Sequence, residues 1–232
     1  MQVVGQRLKR KGNCLKDEDI VLQFHIKISN IKRFFVYGGY DLKDGVRSNL
    51  YSIDLTIPEP IWECFDIKGM VPPPAYRLSS AISNNKLYII GGVVNNEAVN
   101  TIYSIDLDTY EGALIKPGGI ALPKIDSHVS VCSQKNPNII YIYGGYAGNQ
   151  KTSTVYTYDI SSNIISRLKT KLPRPAPRSC HSAVIYNEQI YIFGGSNKNN
   201  EKLNDLWSLN ISSDTWTKIE NPTNQGPSVF LK

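Results

Sequence analysis

The sequence predicts an all-β fold made of four copies of a four-stranded antiparallel unit. A β-branched and aromatic run ends in a glycine pair four times, with first glycines at 38, 91, 144 and 194, spaced by 53, 53 and 50 residues. An aromatic residue follows each first glycine by 12 or 13 residues. Each glycine-terminated run also follows another short apolar run. A period of this length indicates a repeat architecture.

The last unit shows the order of the strands most clearly. Its first two runs flank Asn187-Glu188, which we predict to be the tight turn of a hairpin. The predicted first to fourth strands are Ser182–Tyr186, Gln189–Phe193, Asn204–Ile211 and Thr215–Ile219.

The later strands of the other units follow the same plan. The aromatic residue of each third strand is, in order, Tyr51, Tyr103, Tyr156 and Trp207. The fourth strands vary more, because Trp62 and Trp216 fill an aromatic position that Ile165 takes in the third unit. The second unit has only Gly112-Ala113-Leu114 there.

Each of the three histidines of the chain stands at the start of the predicted first strand of a unit. His25 and His181 lie 13 residues before their glycine pair, and His128 lies 16 before, because Gln134–Asn138 lengthens the turn. The second unit has Leu78 or Ser79 at this position. We interpret the histidines as a feature of the repeat and not as a metal cluster.

Composition sets limits on location and partners. Hydrophobic residues make up 41% and charged residues 20%, which is typical of a globular protein. No apolar run approaches the ~20 residues of a membrane span, and the N-terminus lacks the apolar core of a secretory signal. The four cysteines have no CxxC spacing, which favours reduced thiols in the cytoplasm or the nucleus. The net charge of +6 is too mild to indicate nucleic acid as a partner.

Taken together, these repeats resemble kelch repeats. The stretch Pro175–Ser182 is similar to the Pro-Arg-Ser-x-His-Ser opening of many kelch units. The resemblance implies a kelch-type β-propeller in which each unit is one blade, at about 21–68, 75–116, 125–169 and 177–219. It also implies a structural role for the paired glycines, which let the second strand end beneath its neighbour: Gly38, Gly39, Gly91, Gly92, Gly144, Gly145, Gly194 and Gly195.

The two ends of the chain leave the closure of the propeller open. Residues 1–20 are predicted as a basic segment that could supply one strand of a closing blade. Residues 220–232 are predicted to begin a further repeat or to supply a closing strand. The chain is therefore either part of a larger propeller or a ring completed by strands from both termini.

The resemblance points to a protein-binding face. In peptide-binding kelch domains, residues after the glycine pair and arginines opening the first strand contact the ligand, which implies Tyr40, Tyr146, Arg77 and Arg178 here. An acid, Asp126, stands where a third arginine is expected, and Ser196 and Asn197 complete the face. The alternative is that the arginines pair within the repeat and the tyrosines only cap the mouth of the propeller.

We therefore predict a non-enzymatic scaffold or adaptor that binds a protein or peptide and needs no cofactor. Copper oxidases on kelch-like propellers need converging histidine and tyrosine ligands, and the repeat already accounts for the three histidines. The sequence contains neither a phosphate-binding loop nor a nucleophile elbow. The alternative is a propeller enzyme, or a small-ligand protein, with its site in the axial channel.

Overall fold

The computed structural model describes residues 33–220, and every regular element in that range is a β-strand. The predicted all-β fold is confirmed. None of the described residues belongs to a helix long and apolar enough to cross a membrane. The predictions for residues 1–20, for His25 and its strand, and for residues 221–232 lie outside the described residues.

The strands are numbered in chain order. The first unit holds β1 (Arg33–Tyr37), β2 (Tyr40–Asp41), β3 (Gly45–Val46), β4 (Leu50–Asp54) and β5 (Trp62–Phe65). The second holds β6 (Lys68–Gly69), β7 (Ser79–Ser83), β8 (Lys86–Ile90), β9 (Val93–Val94), β10 (Glu97–Ala98), β11 (Ile102–Asp106) and β12 (Glu111–Ile115). The third holds β13 (Gly118–Gly119), β14 (Ile125–Asp126), β15 (Val129–Cys132), β16 (Ile139–Tyr143), β17 (Tyr146–Ala147), β18 (Gln150–Lys151), β19 (Val155–Asp159) and β20 (Ile164–Leu168). The fourth holds β21 (Arg178–Ser179), β22 (Ser182–Tyr186), β23 (Gln189–Phe193), β24 (Ser196–Asn197), β25 (Leu206–Asn210) and β26 (Thr215–Ile219).

The long strands form four antiparallel sheets. The fourth has the order β22-β23-β25-β26, and the first has β1-β4-β5 among the described residues. The second and third contain β7-β8-β11-β12 and β15-β16-β19-β20. Asn187 and Glu188 both have positive φ, 47° and 56°, so the hairpin turn is of the type that matches the twist of its strands.

The links between units add a feature that the sequence pattern did not predict. Strands β6 and β13 lie in the links that lead into the second and third units. They pair in parallel with β12 and β20, the outer strands of those same units. The next link makes a single parallel bridge, Lys171 with Thr215. Each link therefore covers part of an edge that would otherwise present unpaired backbone groups.

The fourth strand of the second unit is complete, and its glycine has a packing reason. Gly112 pairs with Ile105 in the second unit, as Trp216 pairs with Leu209 in the fourth unit. Gly112 therefore stands at the position of Trp216. A Cβ on Gly112 would lie 2.6 Å from the carbonyl oxygen of Met70 and 3.1 Å from Cγ2 of Ile67. The preceding link thus occupies the space of the missing aromatic side chain.

The core consists of three apolar clusters, each between two successive sheets. One joins the first and second sheets through residues such as Tyr37 and Leu87. Another joins the second and third through Ile90 and Ile142. The last joins the third and fourth, where the ring of Tyr143 lies 5.1 Å from that of Trp216. This sheet-on-sheet packing is the arrangement of propeller blades.

The histidines of the third and fourth units occupy one repeated position. His128 and His181 are 0% and 1% exposed. A Cβ on Gly91 would lie 3.0 Å from Cε1 of His128, and one on Gly144 would lie 2.5 Å from Cε1 of His181. Leu78 packs against Gly38 in the same way, so Leu78 and not Ser79 holds this position in the second unit.

Candidate partner-binding face

The loop after each glycine pair lies beside the loop that leads into the first strand of the same unit. Asp126 of β14 pairs with Tyr146 of β17, and Ser179 of β21 pairs with Ser196 of β24. Tyr76 and Val93 form the corresponding bridge in the second unit. These two sets of loops, residues 40–46, 75–77, 93–98, 125–127, 146–151, 178–180 and 196–201, are called the loop face below.

Backbone hydrogen bonds at the glycine pairs join the loop faces of successive units. The amides of Gly39, Gly92 and Gly145 donate to the carbonyl oxygens of Ala75, Ile125 and Arg178, at 2.9, 2.8 and 2.8 Å. Gly145 has a φ of +84°, and a Cβ there would lie 2.7 Å from Cβ of His128. The loops are therefore held in place by the sheets beneath them.

A second row of hydrogen bonds joins successive units through residues that lie two positions before the first strands β7, β15 and β22. The amide of Cys180 donates to the carbonyl oxygen of Ser127 (3.0 Å), and the amide of Ser127 donates to that of Arg77 (2.8 Å). All three residues have φ near +54°. Arg77, Ser127 and Cys180 are therefore structurally equivalent.

This register corrects the sequence comparison, which set Arg77, Asp126 and Arg178 at one position. Arg178 is equivalent to Ala75 and Ile125, as the glycine hydrogen bonds show. Asp126 is equivalent to Tyr76 and Ser179. The error arose because the links between units differ in sequence. Only the residue at the start of each first strand, Leu78, His128 or His181, gives the correct alignment.

Arg178 is the largest departure from the predicted face. Its side chain is 0% exposed, and its guanidinium donates to both carboxylate oxygens of Asp205, at 2.7 and 2.8 Å. It also donates to the carbonyl oxygens of Gly194 and Ala176. Arg178 therefore pairs within the repeat and does not face a partner. Its side chain offers no accessible surface for binding.

The ion pair also determines the charge state of its carboxylate. Burial alone would raise the pKa of Asp205, but the hydrogen bonds and the charge of Arg178 outweigh burial and hold that pKa below its usual value. The indole of Trp207 adds a further donor, 2.7 Å from Oδ2. Asp205 is therefore a structural anion.

Two other predicted face residues are buried in the loops. Asp126 is 7% exposed and accepts a hydrogen bond from the hydroxyl of Ser127 at 2.8 Å. Ser196 is 6% exposed and accepts one from Nζ of Lys151, also at 2.8 Å. Asn197 is half-buried, and its side chain donates to Glu201 and accepts from the amides of Asn199 and Glu201.

The exposed part of the predicted face is an aromatic and cationic group at the first two units. Tyr40 is 42% exposed, and its ring centroid lies 5.9 Å from that of Tyr76. The guanidinium carbon of Arg77, an exposed residue, lies 5.7 Å from the Tyr76 ring centroid. No carboxylate within residues 33–220 forms an ion pair with Arg77. Tyr40, Tyr76 and Arg77 thus form one group of neighbouring side chains, called the Tyr-Tyr-Arg group below.

A second aromatic and cationic contact lies at the third and fourth units. Nζ of Lys151 lies 5.3 Å from the centroid of the Tyr146 ring. The same ammonium donates to the carbonyl oxygen of Asn197 and to Oδ1 of Asn200, at 2.7 and 2.9 Å. It therefore ties together the loops of two units.

Sequence reasoning missed Tyr76 and Lys151. Tyr76 stands directly before Arg77, and counting back from Leu78 would have placed it opposite Val93. Lys151 could have been found as the partner of Tyr146 across the β17–β18 hairpin. Within residues 33–220, no three His, Cys, Asp or Glu side chains are grouped so that they could hold a metal ion.

Comparison with known proteins identifies similar chains. A model of the KLHDC2/KLHL20/DRC7 kelch-repeats domain matches residues 115–229, and the kelch motif model matches residues 74–111. Kelch domain-containing protein 3 of Bos taurus is 28% identical over 205 residues, 83% of this chain and 52% of that protein. Kelch domain-containing protein 10 of Homo sapiens is 28% identical over 166 residues, 68% of this chain and 37% of that protein. The chain thus spans about half or less of these relatives.

Proposed function

Because the chain belongs to the kelch-repeat family, we propose that it is a non-enzymatic scaffold or adaptor that binds a protein partner through the loop face. The observation that supports this most directly is the Tyr-Tyr-Arg group, in which Tyr40 and Arg77 are exposed while hydrogen bonds hold the backbone of their loops. Tyrosine and arginine are enriched among the residues that dominate binding energy at protein interfaces.

The loops that carry this group are ordered before any partner binds. The amide of Gly39 is bonded to the carbonyl oxygen of Ala75, and Tyr76 and Val93 exchange two hydrogen bonds, at 2.8 and 3.2 Å. A surface of this kind loses little conformational freedom on binding, so more of the contact energy remains as affinity.

The proposed contact residues are Tyr40, Tyr76, Arg77 and Tyr146. Arg178 is left out because its guanidinium is buried and paired with Asp205. Asp126 and Ser196 are left out because both are buried within the loops. Asn197 and Lys151 lie at the rim, where their hydrogen bonds to other loops limit their movement.

The test is a quantitative affinity purification from a lysate of the source organism. Immobilised wild-type chain is compared with the double variant Arg77→Ala/Tyr40→Ala, and bound proteins are measured by mass spectrometry. We expect a partner that is enriched on the wild type to fall at least about tenfold on the double variant, the loss of about 1.4 kcal/mol or more that hot-spot residues produce.

Two controls make the result specific to the face. Arg167→Ala removes an exposed arginine from the outer strand β20 and should retain the partner. The melting temperature of Arg77→Ala/Tyr40→Ala should match that of the wild type, since both side chains are exposed. Equal retention by wild type and double variant would contradict the proposal.

A further inference from the structure

The strand β20 and the link that follows it carry a run of positive charge. From residue 160 to residue 187 the chain holds five lysines and arginines and no acid. One of the five is the buried arginine of the ion pair described above. The other four are exposed: Arg167, Lys169, Lys171 and Arg174. These four residues are called the basic strip below.

The exposure pattern along the basic strip is that of an extended chain. Arg167 lies on β20, and Lys171 forms a parallel bridge with the first residue of β26. From one to the other, the exposed Arg167, Lys169 and Lys171 alternate with the half-buried Leu168 and Thr170. Residues two apart in an extended chain lie on one side, about 6.6 Å from each other. The cations therefore recur at a regular spacing.

Acids of the same two units leave the basic strip unneutralised. No carboxylate within residues 33–220 forms an ion pair with any of its four members. Asp214 meets Lys171 through the backbone, where the amide of Lys171 donates to the carbonyl oxygen of Asp214 at 2.9 Å. The carboxylate of Asp159 accepts hydrogen bonds from the amide and the hydroxyl of Ser161, at 2.9 and 2.6 Å. The charge of the strip is thus available to an anion from outside the chain.

The surroundings of the basic strip favour an acidic protein segment over other polyanions. Single-stranded nucleic acids bind by stacking their bases on aromatic side chains, and residues 160–180 contain none. Leu172, between Lys171 and Arg174, is 79% exposed, which offers an apolar contact that a phosphate backbone does not use. A single leucine is a small anchor for a bilayer surface.

The edge of β20 also suits an extended chain. Strand β13 pairs with Ile164 and Ile165 only, so the part of β20 that carries Arg167 has no further strand partner on that edge among residues 33–220. An extended peptide can lie along such an edge and present its side chains at the spacing of a strand. Acids at every second residue of that peptide match the spacing of the cations.

We propose that the basic strip binds an acidic, extended segment of a protein partner, whose carboxylates face Arg167, Lys169 and Lys171 and whose apolar side chain packs on Leu172. The strip contains no residue of the loop face. The inference therefore goes beyond the proposed function and does not depend on the partner bound there.

The test is fluorescence anisotropy of the full chain with a labelled peptide of about ten residues in which Glu alternates with Val. We expect saturable binding that weakens at least about tenfold when salt rises from about 50 mM to about 500 mM. The same peptide with Gln in place of Glu should not bind. Lys169→Glu/Lys171→Glu should weaken binding at least about tenfold. Lys68→Glu/Lys86→Glu, with the same change of net charge at two exposed lysines of the second unit, should bind like the wild type.

The proposal would be overturned by a wild type that does not distinguish the Glu peptide from the Gln peptide, by a Lys169→Glu/Lys171→Glu variant that binds like the wild type, or by an equal loss in the control. Tighter binding of labelled oligothymidylate, or of vesicles containing phosphatidylserine, through the same two lysines would assign the strip to nucleic acid or to a membrane instead. Circular dichroism shows whether the variants fold, and Lys169→Gln/Lys171→Gln is the second variant if they do not.

The two surfaces can be tested separately. Arg77→Ala/Tyr40→Ala should bind the Glu peptide like the wild type, because both changes lie in the loop face. In the affinity purification described above, a partner of the loop face is lost on that double variant and kept on Arg167→Ala. A partner of the basic strip should show the reverse, so failure of one proposal is distinguishable from failure of the other.

Discussion

Arg178 donates two parallel hydrogen bonds to Asp205, and its guanidinium lies wholly inside the fourth unit, so this arginine offers no side-chain surface to a partner. An ion pair with this geometry has its main energetic effect when one member is removed. The remaining charge is then buried without its counter-charge. The pair is therefore expected to act on the stability of the fourth unit and not on binding.

We expect Arg178→Met to lower the free energy of unfolding by about 3 kcal/mol, because Asp205 loses its counter-ion in a site 23% exposed. Urea denaturation measures this. Arg178→Met/Asp205→Asn should lose less than the sum of its single variants, since neither charge is then left alone and Trp207 keeps an oxygen acceptor. An Arg178→Met variant with wild-type stability would contradict the internal role.

The pH dependence of stability should reveal the Asp205 carboxylate. Its pKa in the folded state lies below the usual value of 3.8, so its stabilising contribution is complete above the unfolded pKa and is lost as pH falls through the folded pKa. The difference in unfolding free energy between wild type and Asp205→Asn should therefore be constant near about pH 6 and shrink below about pH 4. Urea titrations at several pH values test this, and a difference independent of pH would assign the effect to packing.

Substitutions at two glycines with similar φ separate backbone strain from close packing. Gly148 has a φ of +65° and nothing within 4 Å of a built Cβ, so Gly148→Ala should cost only the left-handed conformation, about 1 kcal/mol. Gly145→Ala adds contact with Asp126 and His128, and should cost about 3 kcal/mol or more. Thermal unfolding of both variants decides between them, and equal losses would show that the sheets can shift apart at Gly145.

Restoring the repeat pattern at Gly112 should destabilise the protein. Gly112→Ile introduces the residue type that Ile165 supplies in the third unit, but the link at Ile67 and Met70 already fills the space. We expect a loss of about 2 kcal/mol from overpacking. Gly112→Ala in the same denaturation series should lose less, and an increase in stability for Gly112→Ile would disprove the packing argument.

The carboxylate of Glu188 holds the lengthened turn of the third unit. It accepts hydrogen bonds from the hydroxyl of Ser133 at 2.7 Å and from the amides of Gln134 and Lys135, both at 3.0 Å. Glu188→Gln replaces one acceptor oxygen by a donor, and should cost about 1.5–3 kcal/mol in urea denaturation, as for bonds to charged groups. Glu59→Gln, at an exposed acid between β4 and β5, is the matched control.

How far the sequence predicts this protein depends on which contacts repeat. The strands and glycine pairs follow a pattern shared by four units, so the all-β fold could be derived from residues such as Gly194 and Trp207. The parallel strands β6 and β13 could not, because two residues such as Lys68-Gly69 carry no periodicity and their pairing depends on a partner about 40 residues away.

The candidate site was predicted less well, for a related reason. Whether Arg178 points to solvent or to Asp205 depends on a side chain 27 residues later, and no local pattern contains that information. Tyr40 and Arg77 were identified because residues after a glycine pair and before a first strand lie in the loops of each unit. Their proximity to Tyr76 could not be predicted without the register between those loops.

The parallel links have a consequence for how the chain can be divided. Because β6 lies in the link after the first unit yet bonds to the outer strand of the second, and β13 does the same for the third, the sequence repeat and the cooperative unit are offset from each other. Excising one repeat at its glycine-to-glycine boundary would strip an edge strand from its neighbour. A fragment designed to fold alone has to include the link strand that precedes its unit.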